Sequence, residues 1–184
     1  TRARIACIWH NIEPHERVML ARQAARFVLG QCDLLVVHSE EEAKKAQSLL
    51  PGIAIARCPM PTYAGLKPAT ELCKAGARAS LGLKAEYVLL FFGLVRPYKG
   101  LALLLEALAL ARQQVPAHLL IVGEFWEPKY RYLRQIHKLE LDEHVTIVDR
   151  YVPNEDLATY FAAADALVLP YLSATQSAAL QLGF

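Results

Sequence analysis

Residues 87–108 read YVLLFFGLVRPYKGLALLLEAL. The stretch opens on a continuous apolar run, Tyr87 to Phe92, with no alternation of polar residues. Such a run suits a strand buried on both faces, as in the middle of a parallel sheet. Gly93 ends it, and Lys99-Gly100 open a Leu/Ala-rich helix with apolar positions at Leu101, Leu104, Leu105 and Leu108. Arg96 and Lys99 lie on the connecting loop, which leaves the carboxyl edge of the predicted sheet, the edge where open α/β sheets bind ligands. A helix start there adds N–H groups and a partial positive charge. The combination reads as a site for a phosphorylated ligand of the diphosphate kind. It reads equally as two solvated loop charges pairing with Glu106 or Glu127.

Two common nucleotide motifs are excluded at this loop. A Walker A sequence needs Gly-Lys-Ser/Thr, whereas the order here is Lys99-Gly100-Leu101. The dinucleotide fingerprint G-x-G-x-x-G is missing as well, since the loop holds just Gly93 and Gly100.

The same rhythm extends in both directions. Upstream, strands are predicted over Ile5–Trp9, Leu34–His38 and Ile53–Arg57, with helices over Val18–Gly30 and from Ser39. Ser39 and Glu42 form a capping box, and Pro51-Gly52 stops that helix. The segment CPMPTYAGLKP, 58–68, changes the texture with three prolines and a glycine, and is the linker candidate. A helix over Ala69–Leu81, interrupted by Gly76, leads into the Tyr87 strand. Downstream, strands are predicted over His118–Val122, Val145–Val148 and Ala166–Leu169. Helices fall over Pro128–Leu139 and, capped by Asn154, over Glu155–Ala164. Alternating strands and helices predict an α/β fold with a doubly wound, Rossmann-like parallel sheet, incomplete at both ends. The domain reading is 1–58, a linker at 59–69, and 70–184.

Composition bounds the rest. A length of 184 residues that are 54% hydrophobic supplies a core, and a net charge of +2 makes no demand for nucleic acid. The apolar runs are strand-length rather than membrane-spanning. The opening TRARIACIWHN reads as a strand followed by His-Asn rather than as a signal peptide. The four cysteines sit far apart without a C-x-x-C pair, which argues against zinc and for buried thiols in a reduced, cytoplasmic setting.

Other candidate residues fall at strand ends. Ser173-Ala174-Thr175-Gln176-Ser177 leaves the same predicted edge and can offer hydroxyls and N–H groups to phosphate, although N-capping by Ser173 or Thr175 is the more ordinary reading. His10 ends the first strand beside Asn11, a position more often structural than catalytic. His15-Glu16-Arg17-Val18-Met19 fails the metalloprotease pattern, and no G-x-S-x-G is present. Glu124-Phe125-Trp126-Glu127 and Arg150-Tyr151-Val152 can line a pocket or simply pack their loops.

With these residues in view, the chain resembles the retaining glycosyltransferases of family 4, which have the GT-B fold of two facing Rossmann-like domains. The resemblance rests on HNIEPHE at 10–16, VVHSEEEA at 36–43, FFGLVRPYKGLALLLEA at 91–107, IVGEFW at 121–126, DRYVPNEDLATYFAAADALVLPY at 149–171 and SATQS at 173–177. It implies that residues 1–58 are the back of the acceptor-side domain and 70–184 most of the donor domain. It implies a nucleotide-sugar donor, UDP- or GDP-linked, and a glycan, lipid-linked or small-molecule acceptor, as in polysaccharide biosynthesis. Arg96 and Lys99 would hold the donor diphosphate and neutralise the departing nucleotide. Gly93, Glu124, Thr175, Gln176 and Ser177 would contact the donor, Tyr151 and Val152 would cradle the nucleobase, and His10 would reach the donor sugar. The resemblance implies no metal or cofactor and no protein nucleophile, because retention is described as front-face attack assisted by the leaving diphosphate. It also admits peripheral association with the cytoplasmic face of a membrane. One departure stands out. The family's E-x7-E pair falls at Ala174 and Leu182, neither of them acidic. That loss, with most of the acceptor domain missing, motivates a second reading as a non-catalytic nucleotide-sugar-binding module, and predicts that the 184 residues alone do not turn over.

Overall fold

The computed structural model describes residues 3–10, 20–60, 73–174 and 177–182. The chain divides into two compact units, Thr1–Pro61 with Ser173–Ala178, and Thr62–Leu172 with Ala179–Phe184.

In the first unit, β1 (Ala6–Ile8), β2 (Leu34–Val37) and β3 (Ala54–Arg57) form a parallel sheet in the order β1-β2-β3. Helices α1 (Ala21–Leu29) and α2 (Glu40–Leu49) connect them. Alternation along β2 sends Leu35 and Val37 to one face, where they are fully buried with Ala25 and Leu29 of α1 and Ala46 and Leu49 of α2. Ser39 caps α2 as its sequence predicts, its Oγ accepting from the Glu42 N–H at 3.2 Å. Glu42 itself is buried, and its carboxylate meets the Lys45 ammonium at 3.1 Å. The predicted start of α1 near Val18 lies outside the described residues.

The second unit holds α3 (Lys74–Ser80), β4 (Tyr87–Phe92), α4 (Leu101–Ala111), β5 (Ala117–Val122), α5 (Tyr130–Lys138), β6 (Val145–Val148), α6 (Asn154–Ala163) and β7 (Ala166–Leu167). A short helix α7 (Ala178–Leu182) follows. The four strands are parallel, in the order β6-β5-β4-β7. Both faces of this sheet are covered, which accounts for the unbroken apolar run of β4. Phe91, Leu119 and Ile121 pack under Leu101, Leu104, Leu105 and Leu108 of α4 and Tyr132 and Ile136 of α5. Val88, Leu90, Leu120 and Val122 face the other way, toward Ala77 of α3 and Leu157, Tyr160 and Ala163 of α6. The doubly wound reading therefore holds. From β4 the chain steps outward through β5 to β6, then returns to place β7 on the opposite side of β4. The winding reverses between β4 and β7, and that is where such sheets open a ligand crevice at their carboxyl edge.

Two local expectations are corrected. Asn154 is not the cap of α6: the cap position is Pro153, which offers no side-chain acceptor, and Asn154 is already helical. The helix predicted over Ala69–Leu81 begins among the described residues at Lys74, where the Cys73 Sγ accepts from the Gly76 N–H at 3.4 Å; residues 69–72 lie outside the described set.

Asp165, just ahead of β7, ties α3 to the sheet. Its carboxylate accepts from the Val88 N–H at 2.7 Å, from the Lys74 ammonium at 2.8 Å and from the Arg78 guanidinium. Burial pushes its pKa up, but the Lys74 hydrogen bond, the Val88 N–H and the neighbouring positive charges outweigh burial, and the net position is below the ordinary carboxylate value. A lowered folded-state pKa contributes stability that is present above the unfolded value and is lost as pH falls through the folded one. Asp165→Ala should cost about 1–3 kcal/mol in urea denaturation at pH 7. The difference from wild type should shrink as pH falls into the acid range; a constant difference down to pH 2 would contradict this role.

Candidate functional site

The carboxyl edge of the second sheet is built from loops that hold one another. Beyond β4 and β5 the two chains keep pairing. Gly93 N–H donates to Val122 O at 2.9 Å, Val95 N–H to Glu124 O at 2.8 Å, and Trp126 N–H to Val95 O at 3.1 Å. Their crossing point requires glycine. Gly123 has φ +141°, and a Cβ there would stand 2.2 Å from the Gly93 carbonyl oxygen. The loop after β6 joins through Asp149, whose carboxylate accepts from the Phe125 N–H at 3.1 Å and the Lys129 ammonium at 3.0 Å. The loop after β7 joins from the other side. Leu172 N–H donates to Tyr98 O at 2.8 Å, and the Pro170 carbonyl lies 2.0 Å from where a Cβ on Gly100 would sit.

Arg96 and Lys99 stand on this frame at the reversal between β4 and β7. A single 3-10 turn, Pro97–Lys99, separates them and ends at Gly100 with φ +73°. Gly100 is also the cap of α4, whose first turn has no side-chain cap and no acidic residue. The helix start is thus open to an anion. The Arg96 guanidinium lies over the Trp126 ring, 4.5 Å from its centroid, and the Lys99 ammonium lies 5.4 Å from that of Tyr171. The same ammonium occupies the space above Gly93, where a Cβ would approach it to 2.6 Å.

The carboxylates that sequence offered as partners for these cations are engaged elsewhere. Glu127 accepts from the Tyr132 hydroxyl, and Glu106 is reached by the Gln135 amide at 3.4 Å. Burial and the charge of Glu127 hold the Tyr132 phenol well above its ordinary pKa, so that hydroxyl remains a donor. No carboxylate pairs with Lys99 among the described residues. Its pKa is accordingly lowered, first by burial and then by the Arg96 charge. Lys99 is therefore a half-buried cation beside a second cation, with no carboxylate among the described residues to offset it.

Gly93, Arg96, Lys99 and Glu124 fall together on the interlocked loops. Tyr151 is exposed on the loop after β6, whereas the Val152 side chain is buried in the core beside Leu157 and Tyr160, leaving its backbone as what it can present. His10 lies in the first unit, at the carboxyl end of β1, with its ring stacked 4.7 Å from that of His38. Ser177 groups with the first unit. Thr175 and Gln176 lie outside the described residues. The described residues contain no group of three or more His, Cys, Asp or Glu that could hold a metal, and no helix among them is long and apolar enough to cross a membrane. Trp126, weighed from sequence as a pocket-lining aromatic, stacks on Arg96; Tyr171 and Gly123 also belong to the site, and the sequence does not single them out. For Gly123 a signal existed, a second glycine closing a second buried strand.

A family model described as "Glycosyl transferases group 1" matches residues 86–182, just over half of the chain. No curated protein sequence matches. Among solved structures, a sucrose-phosphate synthase from Thermosynechococcus elongatus superposes with a TM-score of 0.75 at 23% identity, covering 94% of this chain and 45% of its own. Anabaena HepE, in complex with UDP and glucose, gives 0.74 at 19% identity over 89% of this chain and 45% of its own. WaaG, a glycosyltransferase involved in lipopolysaccharide biosynthesis, gives 0.68 at 19% identity, with 95% and 52% covered. This chain thus spans about half the length of those proteins.

The lowered pKa of Lys99 has a thermodynamic sign. Folding disfavours the charged ammonium below its folded-state pKa, and that penalty disappears as pH rises above the unfolded value. Lys99→Met should therefore raise the urea midpoint of the ligand-free chain at pH 7. A lowered midpoint would show that the ammonium stabilises the fold.

Proposed function

Because the chain belongs to the group 1 glycosyl transferases and places Lys99, half-buried beside Arg96, at the reversal of its sheet, we propose that the protein transfers a sugar from a nucleoside-diphosphate donor to an acceptor with retention of configuration. The observation that carries this reading is Lys99, half-buried beside Arg96 without a carboxylate. Anomeric chemistry with a diphosphate leaving group needs positive charge where the negative charge grows as the bond breaks. Arg96 brings a planar fork suited to two phosphate oxygens, and Lys99 a compact charge freed from aqueous solvation. The open start of α4 adds backbone donors on the same side. These groups bind the diphosphate in the ground state and bind it more strongly as it departs, which is what lowers a barrier.

In this reading Gly93 and Glu124 line the donor diphosphate and sugar, and Tyr151 with the Val152 backbone receives the base. Thr175, Gln176 and Ser177 complete the donor contacts. UDP is the first donor to examine, supported by the HepE complex with UDP and glucose; GDP is the second. His10 is the acceptor-side group proposed for the donor sugar, supported by its place at the carboxyl end of β1. The acceptor is a glycan, a lipid-linked sugar or a small molecule, used at the cytoplasmic face of a membrane or in the cytoplasm. No metal or cofactor is required, because the cations supply the charge. Ala174 and Leu182, standing where relatives carry acids, favour a second reading in which this chain binds the donor without transferring it.

Calorimetric titration with UDP and GDP tests the assignment. The Arg96→Ala/Lys99→Ala double variant should lose roughly 2–4 kcal/mol of nucleoside-diphosphate affinity, about 30-fold to 1,000-fold. Unchanged affinity would remove the diphosphate from this loop. Incubation of the full protein with labelled nucleotide sugar, followed by NMR of the anomeric proton, separates retention from inversion and from binding without transfer.

A further inference from the structure

At the opposite, amino-terminal edge of the second sheet lies a cavity of about 430 Å³. It is bordered by Lys84 on the loop before β4, Arg112 at the end of α4, His118 on β5, Glu143 and His144 on the turn before β6, and Thr146 on β6. Four of these six side chains carry a positive charge or acquire one on protonation, against a single carboxylate. Their sequence positions run from 84 to 146, so no local motif announces them.

The polar accounting of this cavity is incomplete. The Arg112 Nε is buried and has no hydrogen-bond partner among the described residues. A buried N–H left unmatched is costly, and a charged donor more so. His118 is held in place by its Nε2, 2.8 Å from the Thr146 hydroxyl. Burial, then the His144 and Arg112 charges, keep the His118 pKa below its ordinary value. Burial and Arg112 do the same to His144 despite the opposing pull of Glu143. The cationic groups thus raise one another's cost, as expected of a charge cluster whose counter-ion is not part of the chain.

We propose that this cavity is a second ligand site, which takes a small dianion of the phosphate class and is separate from the donor diphosphate. Arg112 and Lys84 supply permanent charge, and His118 and His144 supply charge that an anion would induce. The volume exceeds that of a bare phosphate and falls in the range of small-molecule pockets, which leaves room for the organic part of a phosphomonoester. The six residues of β4 separate the two edges by about 20 Å, so one ligand cannot occupy both. An anion stabilises both imidazolium forms, so its binding raises the titration midpoints of His118 and His144. The phosphate's own second ionisation, at about pH 6 for an ester, opposes that proton uptake, so the imidazole midpoints are the readout rather than the affinity. Glu143 and Lys84 are the remaining charged side chains that line the cavity.

NMR of the imidazole resonances in this chain tests the proposal, with inorganic phosphate and glycerol 3-phosphate as probes at pH 6 and pH 8. Saturable movement of the His118 and His144 signals is expected, with both titration midpoints raised. The tighter of the two probes tells free from esterified phosphate. Arg112→Gln should weaken binding about tenfold or more; if that variant does not fold, Lys84→Gln, on an exposed loop residue, carries the same test. The Arg96→Ala/Lys99→Ala variant should bind phosphate here as wild type does, whatever becomes of its nucleotide binding. Imidazole signals that stay still at millimolar phosphate would overturn the proposal, as would movement abolished by the Arg96/Lys99 substitutions.

Discussion

The loops after β4 and β5 meet backbone to backbone at Gly93 and Gly123, with no room for a side chain on Gly123, and the carboxyl edge of the sheet is organised by that contact. A single added methyl on Gly123 would stand 2.2 Å from a backbone oxygen, a contact no rotamer can relieve. The close approach lets the β4 and β5 loops continue to hydrogen-bond beyond the strands, through Val95, Glu124 and Trp126. Gly100 plays the same part against Pro170 on the other flank. Loops normally move more than the elements they connect. Here, backbone pairing and the Asp149 carboxylate tie four of them together, so the groups they carry are placed before a ligand arrives. Placement in advance of binding lowers the cost of assembling a charged site.

The frame sets Lys99 and Arg96 side by side in a partly desolvated position, an arrangement that folding alone does not favour. Lys99 sits over Gly93 and against Tyr171, and Arg96 over Trp126. Aromatic faces partly offset the loss of water around each cation, but they carry no net charge. In the proposed reading, stability at this edge is given up so that an anionic donor meets charge already stripped of its hydration. The contrast with Asp165 is instructive. That carboxylate is matched by Lys74, Arg78 and a backbone N–H, and its net effect is to hold the fold together. Asp165 is a charge satisfied within the chain, whereas Lys99 meets no carboxylate among the described residues.

Much of this was legible in the sequence, because burial on two faces leaves a plain trace. The run from Tyr87 to Phe92 is apolar throughout since Val88 and Leu90 meet α3 and α6 while Phe91 meets α4. The position of Arg96 and Lys99 follows from the strand and helix on either side of them. What local pattern could not show are the partners that come from distant sequence. Glu106 and Glu127, both near enough in sequence to neutralise the cations, turn instead to Gln135 and Tyr132. Asn154 has the chemistry of a cap, but Pro153 takes the cap position and Asn154 enters the helix. The amino-edge cavity escaped sequence reading for the same reason. Its residues gather because parallel strands start at a common edge, and no spacing in the chain records that.

The central claim is that Lys99 is kept short of a counter-charge that a nucleoside diphosphate supplies. Its direct test is the titration of the Lys99 ammonium, followed by NMR on selectively labelled lysine, in the free chain and with UDP or uridine added. The Lys99 pKa should lie below that of an ordinary lysine in the free chain, rise when UDP binds, and stay where it was with uridine, which offers the base and ribose without the charge. A Lys99 pKa that is already ordinary in the free chain, or that does not respond to UDP at saturation, would contradict it.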